Sequence, residues 1–117
     1  MPEERKIDYI EMPSRDLKAT QAFFNALFGW EFTDYGPDYT DFNDGRISGG
    51  FYKSDRVMHA DEGSALVVFY SEKLDKMPEL IVRLGGQISK PIFSFPGGRR
   101  FHFSDPGGSE FAIWSDK

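Results

Sequence analysis

The chain has 117 residues and a mass of 13.4 kDa, with 14 Lys and Arg against 19 Asp and Glu and no cysteine. That length predicts one domain, and a chain of this mass can bury about two thirds of its unfolded surface, while disulfides, thiolate metal sites and cysteine nucleophiles are excluded. The net charge of −5 argues against nucleic-acid partners, because phosphate contacts need clustered Lys and Arg.

Residues 1–6 are charged and read as an arm, without the apolar stretch of a signal peptide. Ile7 to Met12 alternates and predicts a half-buried strand, with Ile10 and Met12 on one face and Tyr9 and Glu11 on the other, ended by Pro13. Ser14 or Asp16 can cap a helix whose apolar stripe is Leu17, Phe23, Phe24, Leu27 and Phe28, closed by Gly29. Trp30 to Phe32 reads as a strand, and residues 39–43 and 47–53 as a hairpin around Asp44-Gly45. A polar loop, residues 54–63, carries His59.

The second half starts with a strand over residues 65–70, whose six residues are the longest apolar run. A membrane span needs about 20, so no membrane partner is expected and the cytoplasm is the default compartment. A helix is expected over residues 75–84, with Pro78 confined to its first turn and Gly85-Gly86 as its stop. A short strand follows at 87–90. Residues 99–104 and 110–115 form a last hairpin around Asp105-Pro106-Gly107-Gly108.

The order strand, helix, three strands therefore occurs twice. A shift of 57 lays Ile10 on Val67, Phe24 on Ile81 and Gly29 on Gly86, and a shift of 61 lays Phe42 on Phe103 and Asp44 on Asp105. The four additional residues fall within 91–98. The fold class read from this is α+β: two βαβββ modules, about 6–55 and 64–116, in a single domain.

The opening strand with Asp16-Leu17, the helix ending Leu27-Phe28-Gly29-Trp30, the second ending Leu84-Gly85-Gly86, and Asp105-Pro106-Gly107-Gly108 before Phe111-Ala112-Ile113-Trp114 together resemble the vicinal oxygen chelate superfamily. This is the group of glyoxalases, bleomycin-resistance proteins and extradiol dioxygenases. The resemblance implies a strongly curved mixed sheet with helices on its convex side, a cavity on its concave side, and a homodimer. It also implies, for the enzymes of the group, one divalent metal held by His and Glu on the first and last strand of each module. Those four positions fall here at Tyr9, Leu66, Phe51 and Ala112, which supply no His or carboxylate. No metal ligand set and no cofactor are therefore expected, and oxygen-chelate catalysis loses its support.

The leading expectation is a small-molecule-binding protein that holds an apolar or aromatic ligand in the concave cavity. Its wall is expected at Tyr9, Glu11, Phe51, Leu66, Val68, Tyr70, His102, Ala112 and Trp114, with Tyr52 turned toward the helices. Trp114 equally suits a dimer contact. Glu11 is weighed as a general base against an ion pair with Arg99 or Arg100. His102, between Phe101 and Phe103, is weighed as a proton-transfer group against a hydrogen-bonded pocket side chain. The alternatives are a glyoxalase-like lyase, isomerase or dioxygenase with a displaced metal on Glu11, His102 and Glu110, and a dimeric interaction module without catalysis. Gly97-Gly98-Arg99-Arg100 reads as a hairpin lead-in, with anion binding as its second reading.

Overall fold

The computed structural model describes residues 2–117. Met1, the first residue of the expected arm, lies outside the described residues. Strand β1 spans Tyr9–Ser14, α1 Leu17–Phe28, β2 Phe32–Asp34, β3 Tyr39–Asn43 and β4 Ser48–Lys53. The second module repeats the order with β5 Val67–Tyr70, α2 Met77–Arg83, β6 Gln87–Phe95, β7 Gly98–Ser104 and β8 Glu110–Ser115. Asp16 caps α1 by accepting from the Ala19 N–H at 3.1 Å. Gly29 closes it in the left-handed region, φ 77°, where a side chain would be strained.

Proline is where the strand boundaries depart from expectation. Pro13 does not end β1, and Pro91 lies inside a β6 of nine residues rather than after a short strand. Both strands are sheet edges, where a missing N–H faces no ladder partner. β6 absorbs its proline with register shifts between Ile88 and Lys90 and between Lys90 and Phe93. The expected second helix begins instead as a 3-10 turn over Leu74–Lys76, which leaves Pro78 in the first turn of α2. No helix among the described residues is long and apolar enough to cross a membrane.

The strands form two four-stranded sheets, β1-β4-β3-β2 and β5-β8-β7-β6. In each, the first strand pairs parallel to the last and the other pairs are antiparallel. The hairpins differ by one residue: 44–47 join β3 to β4, whereas 105–109 join β7 to β8. Because side chains alternate with period two, that residue moves the repeat offset by one across the hairpin. Ala112, opposite Val68, therefore corresponds to Gly50, opposite Glu11, and not to Phe51.

One core serves both sheets. Phe24 is fully buried and stacks on Trp30 and Phe51 of its own module at centroid distances of 4.8 and 5.7 Å. It also meets Phe111 of β8 edge-on at 5.3 Å, while Phe23 lies 6.1 Å from Phe103 of β7. Trp30 and Phe42 stack almost parallel at 4.1 Å. The faces of both sheets that carry Met12, Phe42, Phe51, Phe101, Phe103 and Phe111 thus look inward on α1 and α2. The opposite faces look outward.

The modules are tied at one seam. The Arg15 N–H donates to the Gly107 carbonyl, the Ser109 hydroxyl to the Pro13 carbonyl, and the Thr20 hydroxyl to Asp105 at 2.5 Å. Burial raises the Asp105 carboxyl above its ordinary value, against the lowering effect of Thr20 and of the Gly107 and Ser109 N–H groups.

Candidate functional site

Strand register defines what each outer face presents, because directly paired residues share a face. On the second sheet, Val68, Ala112 and His102 stand in one row, and Tyr70, Trp114 and Arg100 in the next. Val68 is 41% and Tyr70 46% exposed, Ala112 is fully buried, and His102 is 2% exposed. Tyr70 and Trp114 meet edge-on at 5.2 Å.

His102 Nδ1 lies 2.9 Å from Glu110 Oε2. Glu110 also accepts from the Ala60 N–H at 2.8 Å and from the Ser89 hydroxyl at 3.4 Å. Burial raises the Glu110 carboxyl, but the Ala60 N–H, His102 and Ser89 outweigh it, and the group sits below its ordinary value. An ionised Glu110 can only accept, so Nδ1 carries the proton and the ring is held in one tautomer. A cleft of about 300 Å³ opens on the far side of this carboxylate, lined by His59, Asp61, Ser89, Lys90 and Ser104.

The opposite ring nitrogen, Nε2, is buried without a hydrogen-bond partner, and so is Arg100 Nε on the same face of β7. The Phe93 ring covers both: its centroid is 5.8 Å from that of His102 and 5.4 Å from the Arg100 guanidinium carbon. Phe95 lies under the same guanidinium at 5.6 Å. Each buried polar atom left unpaired costs about 1–3 kcal/mol, so two side by side are an expensive arrangement in the free chain.

The outer face of the first sheet is of another kind. Tyr9 and Tyr39 join their hydroxyls above Gly50, and the Tyr39 hydroxyl also reaches Glu11 Oε2 at 3.1 Å. Burial, then the bonds to Tyr9 and Glu11, push the Tyr39 phenol well above its ordinary value. Tyr9 and Tyr52 are each 40% exposed.

Val68, Tyr70, His102, Ala112 and Trp114 share one face of the second sheet, while Tyr9 and Glu11, expected in the same wall, stand on the other sheet. Leu66 immediately precedes β5. Phe51 is a correction: it is fully buried against Phe24 and faces the core, and Tyr52, expected under the helices, faces outward. The cause is the one-residue difference in hairpin length. Glu11 pairs with neither arginine; Arg99 holds Asp75 in a two-pronged ion pair at 2.9 and 3.1 Å. Gly97, at φ 110°, turns the β6–β7 hairpin. Phe93 and Tyr39 were not singled out from the sequence, and Arg100 was named there only as a partner for Glu11 and within Gly97-Gly98-Arg99-Arg100. The alternation that turned His102 away from the helices also turns Arg100 that way.

Comparison with known proteins agrees with this architecture. The family profile described as the Glyoxalase/Bleomycin resistance protein/Dioxygenase superfamily matches residues 6–113. The chain belongs to this superfamily. A glyoxalase/bleomycin resistance protein/dioxygenase family enzyme from Burkholderia phytofirmans PsJN superposes with a TM-score of 0.77 at 17% identity, over 95% of this chain and 100% of that one. An E126Q mutant of the fosfomycin resistance protein FosX from Listeria monocytogenes gives 0.76 at 22% identity, over 94% and 89%. The anthracycline biosynthesis protein DnrV of Streptomyces peucetius is 28% identical over 124 residues, 91% of this chain. The chain spans about half of that relative's length, 45%.

The metal that the superfamily implies does not fit the residues present. With the register corrected, the four positions are Tyr9, Gly50, Leu66 and Ala112, which offer one phenol among them. The displaced set fails as well. Glu11 lies on the first sheet and His102 and Glu110 on the second, and no group of three His, Asp or Glu among the described residues could hold a metal ion.

Proposed function

We propose that this superfamily member is a small-molecule-binding protein that holds a flat apolar or aromatic ligand against the outer face of its second sheet. The observation that carries this reading is the pair Val68 and Tyr70, exposed although aliphatic and aromatic, with the half-buried Trp114 and the small, buried Ala112 beside them. A relative acting in anthracycline biosynthesis supports a polycyclic aromatic ligand. The accessible surface is 7432 Å², above the roughly 6,500 Å² expected of a monomer of this mass. That supports a second copy covering the outer faces and closing the ligand site.

A thermal-shift screen of aromatic compounds tests the reading. A true ligand at a hundredfold excess over Kd stabilises by about 2.7 kcal/mol, quenches Trp114, and loses both effects in Tyr70→Ala. No stabilisation by any aromatic compound, together with a dimer in light scattering, would leave the interaction module as the better account. A monomer in light scattering would remove the dimer from the reading.

A further inference from the structure

We infer that His102 Nε2 and Arg100 Nε form a hydroxyl-binding pair, and that the group they take is the phenol or enol hydroxyl of a ligand on the outer face of the second sheet. This rests on the function proposed above and deepens it.

The argument is one of unmet hydrogen-bonding capacity. Both atoms are buried, both lack a partner, and they stand two residues apart on one face of β7. Arg100 makes no ion pair among the described residues. Nε–H is a fixed donor. In the neutral ring whose Nδ1 proton is given to Glu110, Nε2 is an acceptor. A donor beside an acceptor matches a group that is both at once, and among aromatic ligands that is a hydroxyl. It donates to Nε2 and accepts from Arg100. A carboxylate would oppose the lone pair of Nε2, and a bare ketone would leave that lone pair unmet.

Phe93, which covers both atoms, hangs from the irregular stretch of β6 where the register shifts. A flat ring can take its place over the two atoms and restore the same stacking. Arg100 can stabilise the oxyanion when the hydroxyl proton passes to Nε2. The O–H bond breaks and an N–H bond forms. The imidazolium is balanced by Glu110, and the oxyanion faces Arg100. Lys90, opposite His102 on β6, is exposed and adds positive charge. Glu110 acts as a positioning residue, since it fixes which nitrogen is free.

The test uses 4-nitrophenol and its methyl ether, 4-nitroanisole, which share a ring and differ in the hydroxyl. The expected result is binding of the phenol about tenfold tighter than the ether, one charge-assisted hydrogen bond's worth of selectivity. The bound phenol should also show the phenolate absorption band at a pH where the free probe is mostly protonated. His102→Phe and Arg100→Met should abolish that preference, so that phenol and ether bind alike. Glu110→Gln should reduce the phenolate fraction. Nitrogen-15 spectra of the unmutated protein give a second readout: the phenol should shift the His102 Nε2 resonance and the ether should not. Equal binding of phenol and ether, or a phenolate band that survives both substitutions, overturns the inference and leaves the binding function standing. Failure of both probes to bind overturns the function and this inference with it.

Discussion

β2 has three residues and β6 has nine, and that difference separates the two outer faces. The short strand leaves its sheet open, so Tyr9, Glu11 and Tyr39 satisfy one another at the surface. The long strand carries Phe93 and Phe95 against the Arg100 guanidinium, and His102 Nε2 and Arg100 Nε are shut away from water. The sheets pair alike and share a core, yet one face ends in self-satisfied hydroxyls and the other in two buried, unmet nitrogens. Edge-strand length rather than topology decides which face is equipped to select a ligand.

The sharpest way to break this comparison is through the core that both modules share. Phe24→Ala removes a ring in contact with both sheets, and a loss of about 3–5 kcal/mol in urea unfolding is expected. Trp30 and Trp114 should then report one common transition. Separate midpoints would mean that the modules are independent units. At the seam, Asp105→Asn should cost about 1–3 kcal/mol, because an amide nitrogen would face the N–H donors that the carboxylate now accepts. The raised Asp105 carboxyl contributes stability below its ordinary value of 3.8 and loses it as pH rises through the folded value.

Glu110 has the opposite sign. Its carboxyl is lowered, so its contribution is present above the ordinary value of 4.5 and is lost as pH falls through the folded value. Glu110→Gln should therefore be less stable than the parent at neutral pH, with the gap narrowing on acidification below about pH 4.5. A gap constant with pH would contradict the burial and bonding described for this face. The corresponding positions Gly50 and Ala112 permit a reciprocal exchange. Ala112→Gly should cost about 0.5–1 kcal/mol in the strand. Gly50→Ala should cost at least as much, because its new methyl meets the Tyr39 hydroxyl and ring carbon and the Tyr9 hydroxyl at under 3 Å and breaks up their hydrogen bonds. Smallest of all, Glu79→Ala removes an exposed pair with Arg83 on α2 and should shift stability by no more than about 0.5 kcal/mol.

The repeat, the first helix with its caps and the apolar stripe of α1 were legible in the residues. They are local or periodic features, and hydrophobic spacing and glycine chemistry are written in the chain itself. His102 was also placed on the face away from the helices, since Phe101 and Phe103 on either side of it must be buried. Phe51 and Tyr52 were assigned to exchanged faces because a one-residue difference in hairpin length does not alter composition and yet inverts a strand. The sequence by itself determined the superfamily architecture and a second-sheet face of aromatic and imidazole groups. Only the tertiary structure decided that Glu110 partners His102, that Glu11 stands on the other sheet, and that the Arg100 Nε is buried on the same face as His102. Those relations depend on which strands lie side by side and how far β6 extends over them. Pairing across a sheet joins residues distant in the chain, and no local pattern records it.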